Sequence, residues 1–319
     1  MAYQQNGISA LAQIPALMYS FAPTAGLTVG GSSAAPTLAI DGIHFLLSAT
    51  TDGFDQELRW DAQSAPSITS AARTRSPKLN GTTATPTVSA PTKVHFIAGL
   101  SPAPYLAIIV EYGFNSYRHL YLGGMDKIGG YIGGQVISGC DFAASADGAD
   151  YPRNYRDPAH QYLFSGFQAL RTPSEAGGVL VDHANNGVKW RTFACPITGN
   201  PVDTMTGSEA FGGFSDEIND AYVARGIGTF AGINMLVPIQ LYAPTAGGAT
   251  ANFAPLGNPA GVRMVNLSGI DPGAQLTIGS DTWYLFPAFS KKEATTVGKS
   301  LGGWAAEETS HVIGYAYLG

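Results

Sequence analysis

The densest apolar stretch of the sequence covers residues 105–112, where Glu111 is the one residue that is neither apolar nor aromatic. Side chains alternate between two faces along a strand, so this stretch divides into two sets. The sets are Leu106, Ile108, Val110 and Tyr112 on one face and Tyr105, Ala107, Ile109 and Glu111 on the other. Because both sets are largely apolar, the pattern predicts a strand that is covered on most of both faces.

A second alternating stretch, residues 117–122, follows after Gly113, Phe114, Asn115 and Ser116. We predict a β-hairpin with Phe114 on its turn. Its second strand has two faces, with Arg118, Leu120 and Leu122 on one and Tyr117, His119 and Tyr121 on the other. Flanking strands are predicted at 94–98 and 131–137, and the latter contains Gly133 and Gly134, which indicate a bulge or a close backbone approach.

The first sixty residues predict a helix followed by strands. Residues 8–21 have apolar side chains near helical spacing, with Ser9 as a possible cap and Pro15 either starting a second short helix or kinking a longer one. Residues 37–48 predict two strand pieces around an Asp41-Gly42 turn, and residues 58–60 a further short strand.

Residues 62–92 contain mostly Ala, Ser, Thr and Pro, with little apolar material. This composition predicts a long loop or an interdomain strap. The basic cluster Arg73, Arg75 and Lys78 is suited to a phosphate or an acidic patch on a partner, but a solvated loop is the favoured interpretation because the chain is negatively charged overall.

The remainder of the chain predicts short strands, long loops and few helices. Short strands are expected at 161–167, 178–181 and 188–193 within an irregular region. A helix is expected from Ser215 to about Gly226, with Asp216 and Glu217 in its first turn, and a turn of helix at 303–310. The C-terminal region predicts strands at 262–267, 276–278, 282–286 and 312–318.

These elements together predict a mainly β fold of antiparallel sheets or a sandwich, with an N-terminal helix and one or two short helices. The expected parts are 1–61 with the helix and first strands, 62–92 as the strap, 93–260 as a central β region with long loops, and 261–319 as a C-terminal β region packed on the central sheet.

The amino-acid composition bears on whether neighbouring subunits or water cover the surface of the chain. Charged residues make up only 13% of the 319 residues, whereas about 25% is usual, and the chain has 40 Gly and 20 Pro. Few charges with many glycines are typical of surfaces that neighbouring subunits cover, and equally of a turn-rich monomeric all-β protein. The net charge of −6 gives no attraction for nucleic acid or anionic lipid, so neither is an expected partner.

Targeting signals and cysteine chemistry are also not indicated. No Lys or Arg precedes Arg59, and no apolar run approaches the length of a membrane span. We therefore expect neither a secretory signal nor a transmembrane segment. We expect the chain to be assembled in a cytoplasm. Cys140 and Cys195 match no disulfide, metal or redox motif and are expected to be buried free thiols.

Candidate chemistry is weak throughout the sequence. The segment 226–231 fits the dinucleotide fingerprint G-x-G-x-x-A, but a predicted helix precedes it where a strand is needed. No spacing pairs the carboxylates for glycoside hydrolysis; the candidates are Asp147, Asp150, Asp182, Asp216 and Glu217. A Ca²⁺ site near Asp147 and Asp150 is less favoured than a polar loop, since the spacing matches no EF-hand.

The histidines form no metal-binding pair, and the chain contains no G-x-S-x-G elbow. A Ser-His-Asp triad stays open, because only the fold brings its members together. We therefore predict no catalytic, cofactor or metal residues, and no enzymatic activity.

The sequence contains two groups of specific motifs. The first is the apolar strand ending in Glu111, then Tyr117-Arg118-His119-Leu120 with Gly123, the Asp126-Lys127 pair, and Tyr131 with Gly133-Gly134. The second is Ile278-Gly279-Ser280-Asp281-Thr282-Trp283, then Phe286-Pro287-Ala288-Phe289, and the closing Gly314-Tyr315-Ala316-Tyr317. Both groups resemble a family of tailed-bacteriophage virion structural proteins. The resemblance covers about a third of the chain and leaves residues 143–260 unmatched.

The resemblance implies a non-enzymatic virion component of the tail, neck or baseplate that binds copies of itself and other virion proteins. Phe114 and the strap with Arg73, Arg75 and Lys78 are the hypothesised interface residues. The alternatives are a tail-tip protein that binds or depolymerises a host-surface glycan, with Tyr151, Tyr155, Tyr162, Trp190 and Trp304 stacking on sugars, and, as a weaker option, a capsid decoration protein.

Overall fold

The computed structural model describes residues 1–52, 55–62, 71–75, 78–80, 87–88, 90–112, 116–131, 133–139, 163–164, 178–184, 187–191, 229–230, 233–234, 236–245, 252–267, 270–288 and 313–319. These residues form strands, one α-helix and two 3-10 turns. In chain order, the helical elements are the turn Leu11–Gln13, α1 (Ile14–Phe21) and the turn Ala22–Ala25.

The strands before residue 140 are β1 (Ala2–Gly7), β2 (Thr28–Ser32), β3 (Ala35–Ile40), β4 (Ile43–Asp52), β5 (Asp55–Ala62), β6 (Ala71–Arg75), β7 (Lys78–Asn80), β8 (Thr87–Val88), β9 (Pro91–Gly99), β10 (Tyr105–Tyr112), β11 (Ser116–Gly123), β12 (Met125–Lys127) and β13 (Gly133–Gly139). The later strands are β14 (Gly178–Ala184), β15 (Gly187–Arg191), β16 (Thr229–Phe230), β17 (Ile233–Asn234), β18 (Val237–Pro238), β19 (Leu241–Thr245), β20 (Asn252–Pro259), β21 (Val262–Asn266), β22 (Gln275–Ile278), β23 (Asp281–Pro287) and β24 (Ile313–Leu318).

Three antiparallel sheets form the main layers. The central sheet has seven strands in the order β1-β9-β10-β11-β13-β14-β15. An N-terminal sheet has the order β2-β3-β4-β5-β6, and a C-terminal sheet has the order β18-β21-β24-β23-β22. Smaller sheets join β12-β20-β19, β16-β17 and β7-β8. The predicted mainly β fold of antiparallel sheets with an N-terminal helix is therefore correct.

Strand β10 in the central sheet is buried on both faces, as its pattern predicts. Leu106, Ile108 and Val110 belong to a core shared with α1 and the N-terminal sheet. Tyr105 and Ile109 belong to a second core shared with the C-terminal sheet. The molecule thus has two apolar layers, one on each side of the central sheet, and the residues that alternate along β10 and β11 contribute to both.

The predicted hairpins are present. In β10–β11, Tyr112 pairs with Ser116, so the three residues 113–115 connect the strands. In β3–β4, Ile40 pairs with Ile43 across Asp41 and Gly42, which take φ angles of 49° and 79°. Two consecutive left-handed residues are what a type I′ hairpin requires, and Asp-Gly supplies them at low cost. Gly133 and Val136 also bracket a register shift against β14, which agrees with the predicted bulge.

The N-terminal helix is confirmed, but its predicted cap is wrong. Pro15 lies in the first turn of α1, where a missing backbone N–H costs little, and Ile14, Met18 and Phe21 form its buried face. Ser9 does not cap the helix with its side chain. Instead the Gln13 side chain, in the 3-10 turn before α1, accepts from the backbone N–H of Ser9 at 2.7 Å and of Ala10 at 3.1 Å. The capping oxygen therefore comes from Gln13, and the Ser9 side chain does not supply it.

Three further predictions need correction. Residues 62–92 are not entirely loop, because they contain β6, β7 and β8. Strand β6 joins the edge of the N-terminal sheet through backbone hydrogen bonds, which do not require apolar side chains. Residues 163 and 164 form a turn where a strand was predicted, since Phe164 has a φ of 60°. Finally, β1 was missed, because Ala-Tyr-Gln-Gln-Asn-Gly has no apolar alternation to indicate it.

The predicted C-terminal strands are all present, and β24 lies between β21 and β23. The two short helices predicted at 215–226 and 303–310 lie outside the described residues.

Candidate functional site

The residues predicted from sequence as interface elements are only partly placed. Arg73 and Arg75 lie in β6, where their backbones pair with Arg59 and Glu57 of β5, and Lys78 lies in β7 opposite Val88. Phe114 lies outside the described residues. The interface hypothesis for these four residues therefore stays a prediction.

Most of the weighed chemical candidates also lie outside the described residues, namely Asp147, Asp150, Asp216, Glu217, Cys140 and Cys195. Asp182 lies in β14, where its backbone pairs with Lys189 of β15. Thr229 and Phe230, the part of the dinucleotide fingerprint that the structure describes, form strand β16, whereas that motif should open a helix.

The structure instead brings together polar residues that sequence analysis left unassigned, on the face of the central sheet that meets the C-terminal sheet. Strand register places Gln5, His95, Ile109 and His119 in one row across β1, β9, β10 and β11. The signal available in the sequence was the occurrence of two histidines inside otherwise apolar strands. Nothing in the sequence indicates that they share a row.

His119 is held at both ring nitrogens. Its Nε2 lies 2.7 Å from the carbonyl oxygen of Pro287, and its Nδ1 lies 2.8 Å from the hydroxyl of Tyr317. Because a carbonyl can only accept, Nε2 carries the proton and Nδ1 accepts from the Tyr317 hydroxyl. Complete burial lowers the pKa of His119 to about 3, against the opposing effect of the Pro287 hydrogen bond. His119 is therefore neutral and joins β11 to the ends of β23 and β24.

His95 lies at the rim of the same layer and has a different environment. Its Nδ1 lies 3.0 Å from the Tyr3 hydroxyl, and its Nε2 lies 3.5 Å from a Glu111 carboxylate oxygen. Lys93 contacts both Glu111 oxygens at 3.2 Å. Burial lowers the pKa of His95, and Glu111 acts in the opposite direction.

Aromatic rings enclose the His95 imidazole. Phe286 lies 4.7 Å from it between ring centroids, and Tyr3 lies 6.1 Å from it in a stacked orientation. Tyr3 in turn stacks on Tyr284 at 4.1 Å. The stack of Tyr3 on Tyr284 occupies one face of each of these two half-buried rings.

A cleft of about 320 Å³ opens beside this group. Its lining residues are Tyr3, Gln5, Lys93, His95, Glu111, Tyr117, Pro272, Gly273 and Phe286. Among the described lining residues Glu111 is the one carboxylate, and its ion pair with Lys93 is partly exposed, with 44% of the Lys93 side chain accessible. Such a pair contributes little stability, typically below about 1 kcal/mol.

The chemistry open to this cleft is limited. Two-carboxylate glycoside hydrolysis needs a second acid, and the described lining supplies none. Burial raises the pKa of Tyr3 and of Tyr117, so neither hydroxyl is prepared to act as a nucleophile. Among the described residues, no group of three or more His, Cys, Asp or Glu side chains is arranged to hold a metal ion.

Buried tyrosine hydroxyls provide further connections between the layers. Tyr105 donates to the carbonyl of Leu318, and Tyr121 donates to the carbonyl of Ala260 at 2.8 Å. Burial raises the pKa of both phenols, so they remain protonated donors. The site is thus a junction, in which side chains of β10 and β11 bind backbone carbonyls of the C-terminal region.

Comparison with known proteins gives no family assignment: no family model matches the chain, and no curated protein matches it. Within the part of the chain that the structure describes, no helix is both long enough and apolar enough to span a membrane.

Proposed function

We propose that this chain is a structural subunit of a tailed-bacteriophage particle, located at the tail, neck or baseplate, where it assembles with copies of itself and with other virion proteins. Its role is to hold protein surfaces together, and it carries out no reaction.

The observation that carries the proposal is the contact between the two motif groups that resemble the virion family. His119, from the Tyr-Arg-His-Leu motif, binds Tyr317 of the closing motif although the two residues are 198 positions apart. His119 also binds Pro287 of the intervening motif. His119, Pro287 and Tyr317 from the two motif groups therefore form one buried junction, which supports a structural role for these residues.

The character of the polar groups supports the same conclusion. His119 is neutral and has a partner on each ring nitrogen, and the tyrosine hydroxyls donate to backbone carbonyls. These arrangements are typical of satisfied polar groups in a core. A catalytic group would instead need access to a substrate and a pKa suited to proton transfer.

The glycan-binding or depolymerase alternative has weaker support. The acids and aromatic residues that favour it lie largely outside the described residues. The described lining of the cleft beside His95 has one carboxylate, and its Tyr3 ring is stacked on Tyr284. Incubation of the purified chain with host polysaccharide tests this alternative, and shortening of the polymer would overturn the structural proposal.

Locating the chain in intact particles tests the proposal. Antibody fragments raised against the purified chain are bound to tailed particles and imaged by electron cryo-microscopy. We expect label at repeated, symmetry-related positions on the tail, neck or baseplate. Label spread over the head would favour the capsid decoration alternative, and particles that bind no fragment would contradict both virion assignments.

A further inference from the structure

Strand β1 forms an open, regular edge of the central sheet. Among the described residues it pairs with β9 alone, and six consecutive residue pairs follow without a register shift. The Ile8 N–H donates to the Thr92 carbonyl at 3.1 Å just beyond these pairs. Hydrogen-bonded and non-hydrogen-bonded pairs alternate in antiparallel sheets, so Tyr3, Gln5 and Gly7 direct their backbone N–H and C=O groups away from β9.

Strand β1 itself has no charged side chain, proline or bulge to protect it against pairing with another chain. Exposed edge strands are normally guarded by charged side chains, prolines or bulges. Strand β1 has the sequence Ala-Tyr-Gln-Gln-Asn-Gly, and the first charged side chain of the whole sequence is Asp41. Gln5 and Gly7 are exposed. The outward backbone groups are therefore accessible to a further strand.

We propose that the partner of this edge is β1 of a second copy of the chain, paired antiparallel about a two-fold axis so that two central sheets become one. The inference rests on the proposed function as an assembly subunit and names one of its contacts. In a two-fold pair, each residue of β1 in one copy lies opposite a residue of β1 in the other copy.

The composition of β1 suits such self-pairing. Like charges placed opposite each other destabilise a strand pair, and β1 has no charged side chain to create this conflict. Gln4, Gln5 and Asn6 carry amides, each with a donor and an acceptor, so each is complementary to a copy of itself. Within one chain, the Gln4 amide already donates to Asn6 at 2.8 Å, which holds these groups along the strand.

The outward backbone groups restrict the possible register. Because Tyr3, Gln5 and Gly7 must face one another, the two registers that pair the most β1 residues place Gln4 opposite either Gln4 or Asn6 of the second copy. A charge at position 4 therefore comes close to the partner strand in both registers, whereas its own backbone groups belong to the β1–β9 pairing. Position 4 is for this reason the most informative site for substitution.

Sedimentation velocity of the full chain at low salt over a range of concentrations tests the proposal. We expect a dimer for the natural sequence, and a dissociation constant raised about five- to tenfold by Gln4→Lys or by Gln4→Glu. An equal mixture of the two variants should recover the dimer, because opposite charges then lie either directly opposite or diagonally across the two strands. Recovery on mixing would not occur if the substitutions had simply unfolded the chain.

The matched control is Gln275→Lys, which makes the same change of charge at the exposed edge strand β22 and should leave the dimer unchanged. Gln5→Pro is the second probe, since it removes an outward N–H without removing a β1–β9 hydrogen bond. A natural chain that is monomeric throughout, or an oligomer insensitive to Gln4→Lys and Gln5→Pro, would overturn the proposal.

These outcomes are distinct from those of the particle experiment. A monomer that nevertheless labels the tail, neck or baseplate would overturn self-pairing through β1 and leave the proposed function in place. A chain that dimerises through β1 but is absent from particles would overturn the proposed function and leave self-pairing through β1 in place.

Discussion

The neutral ring of His119 connects the central sheet to the C-terminal sheet. Protonation of Nδ1 would turn the Tyr317 hydroxyl from donor to acceptor, and would put a charge in a fully buried position. A buried charge without a compensating partner raises the free energy of the folded state. The stability of the contact between the two sheets therefore depends on whether His119 is protonated.

The stability of the chain should consequently depend on pH through His119. The pKa of His119 is about 3 when folded and 6.5 in its ordinary state, so the unfolded chain binds the proton more readily between these values. The contribution is complete above about pH 6.5 and falls toward pH 3, by on the order of 1.4 kcal/mol per pH unit.

Urea unfolding of His119→Gln checks this dependence. Between about pH 7.5 and pH 5, the variant should lose roughly 2 kcal/mol less than the natural chain, because its amide does not titrate. His44→Gln is the control, since it makes the same change at an exposed histidine. Equal pH dependence of the natural chain and His119→Gln would show that His119 is not the titrating group.

The Tyr317 hydroxyl should contribute to stability in a measurable way. Tyr317→Phe leaves Nδ1 of His119 buried without its donor, and the expected loss of unfolding free energy is about 1–3 kcal/mol at neutral pH. Tyr284→Phe is a suitable comparison, because Tyr284 stacks on Tyr3 at the partly exposed rim and should lose less than about 0.5 kcal/mol. Similar losses for the two variants in chemical denaturation would argue against the hydrogen bond.

At the scale of elements, the turn between β20 and β21 is fitted closely to β10. Gly261 has a φ of 65°, and a β-carbon added there would lie 2.1 Å from the ring of Tyr105. The close approach lets the Tyr105 ring lie beneath the turn and reach the Leu318 carbonyl. Glycine is thus required for both backbone conformation and space.

Gly261→Ala should therefore destabilise the chain by more than about 3 kcal/mol, from left-handed strain plus overlap with Tyr105. Gly279→Ala separates the two effects. Gly279 has a φ of 63° but nothing within 4 Å of an added β-carbon, so this variant should lose only about 1 kcal/mol. Thermal unfolding of both measures the difference, and equal losses would exclude the steric contribution of Tyr105.

The sequence predicted those elements whose own side chains define a pattern. Strands β10 and β11 alternate clearly, and their two faces were assigned correctly because a sheet buried on both sides makes each face apolar. Strands β1 and β6 were missed, since an edge strand can form through backbone hydrogen bonds to a neighbour whatever its side chains. The contact of His119 with Tyr317 was not predictable, because only the fold brings residues 198 positions apart together.

At the scale of the whole molecule, the central sheet is shielded by a layer on each side. Its inner strands β9 and β10 are buried along almost their full length, whereas β2 and β22 are largely exposed edges of the outer sheets. Local opening is expected to be rarest where backbone hydrogen bonds are buried between two cores.

Hydrogen exchange measured by mass spectrometry should follow this layering. Peptides from β9 and β10 should exchange slowest, and those from β2 and β22 should exchange at least about a hundredfold faster, because their opening exposes little apolar surface. Rapid exchange in β10 would contradict a central sheet protected on both faces.

The same architecture accounts for the proposed role. His119 holds two of its sheets together, and its edge strand β1 lacks the charges that would keep another strand away. A structural subunit of this kind should be present in a fixed number of copies in each particle.

Quantitative mass spectrometry of purified tailed particles tests this claim most directly. The account predicts that peptides of this chain occur in a fixed, repeated copy number relative to the major head protein, unchanged by further purification. Particles that contain none of it, or a trace amount that varies between preparations, would contradict the assignment as a structural subunit.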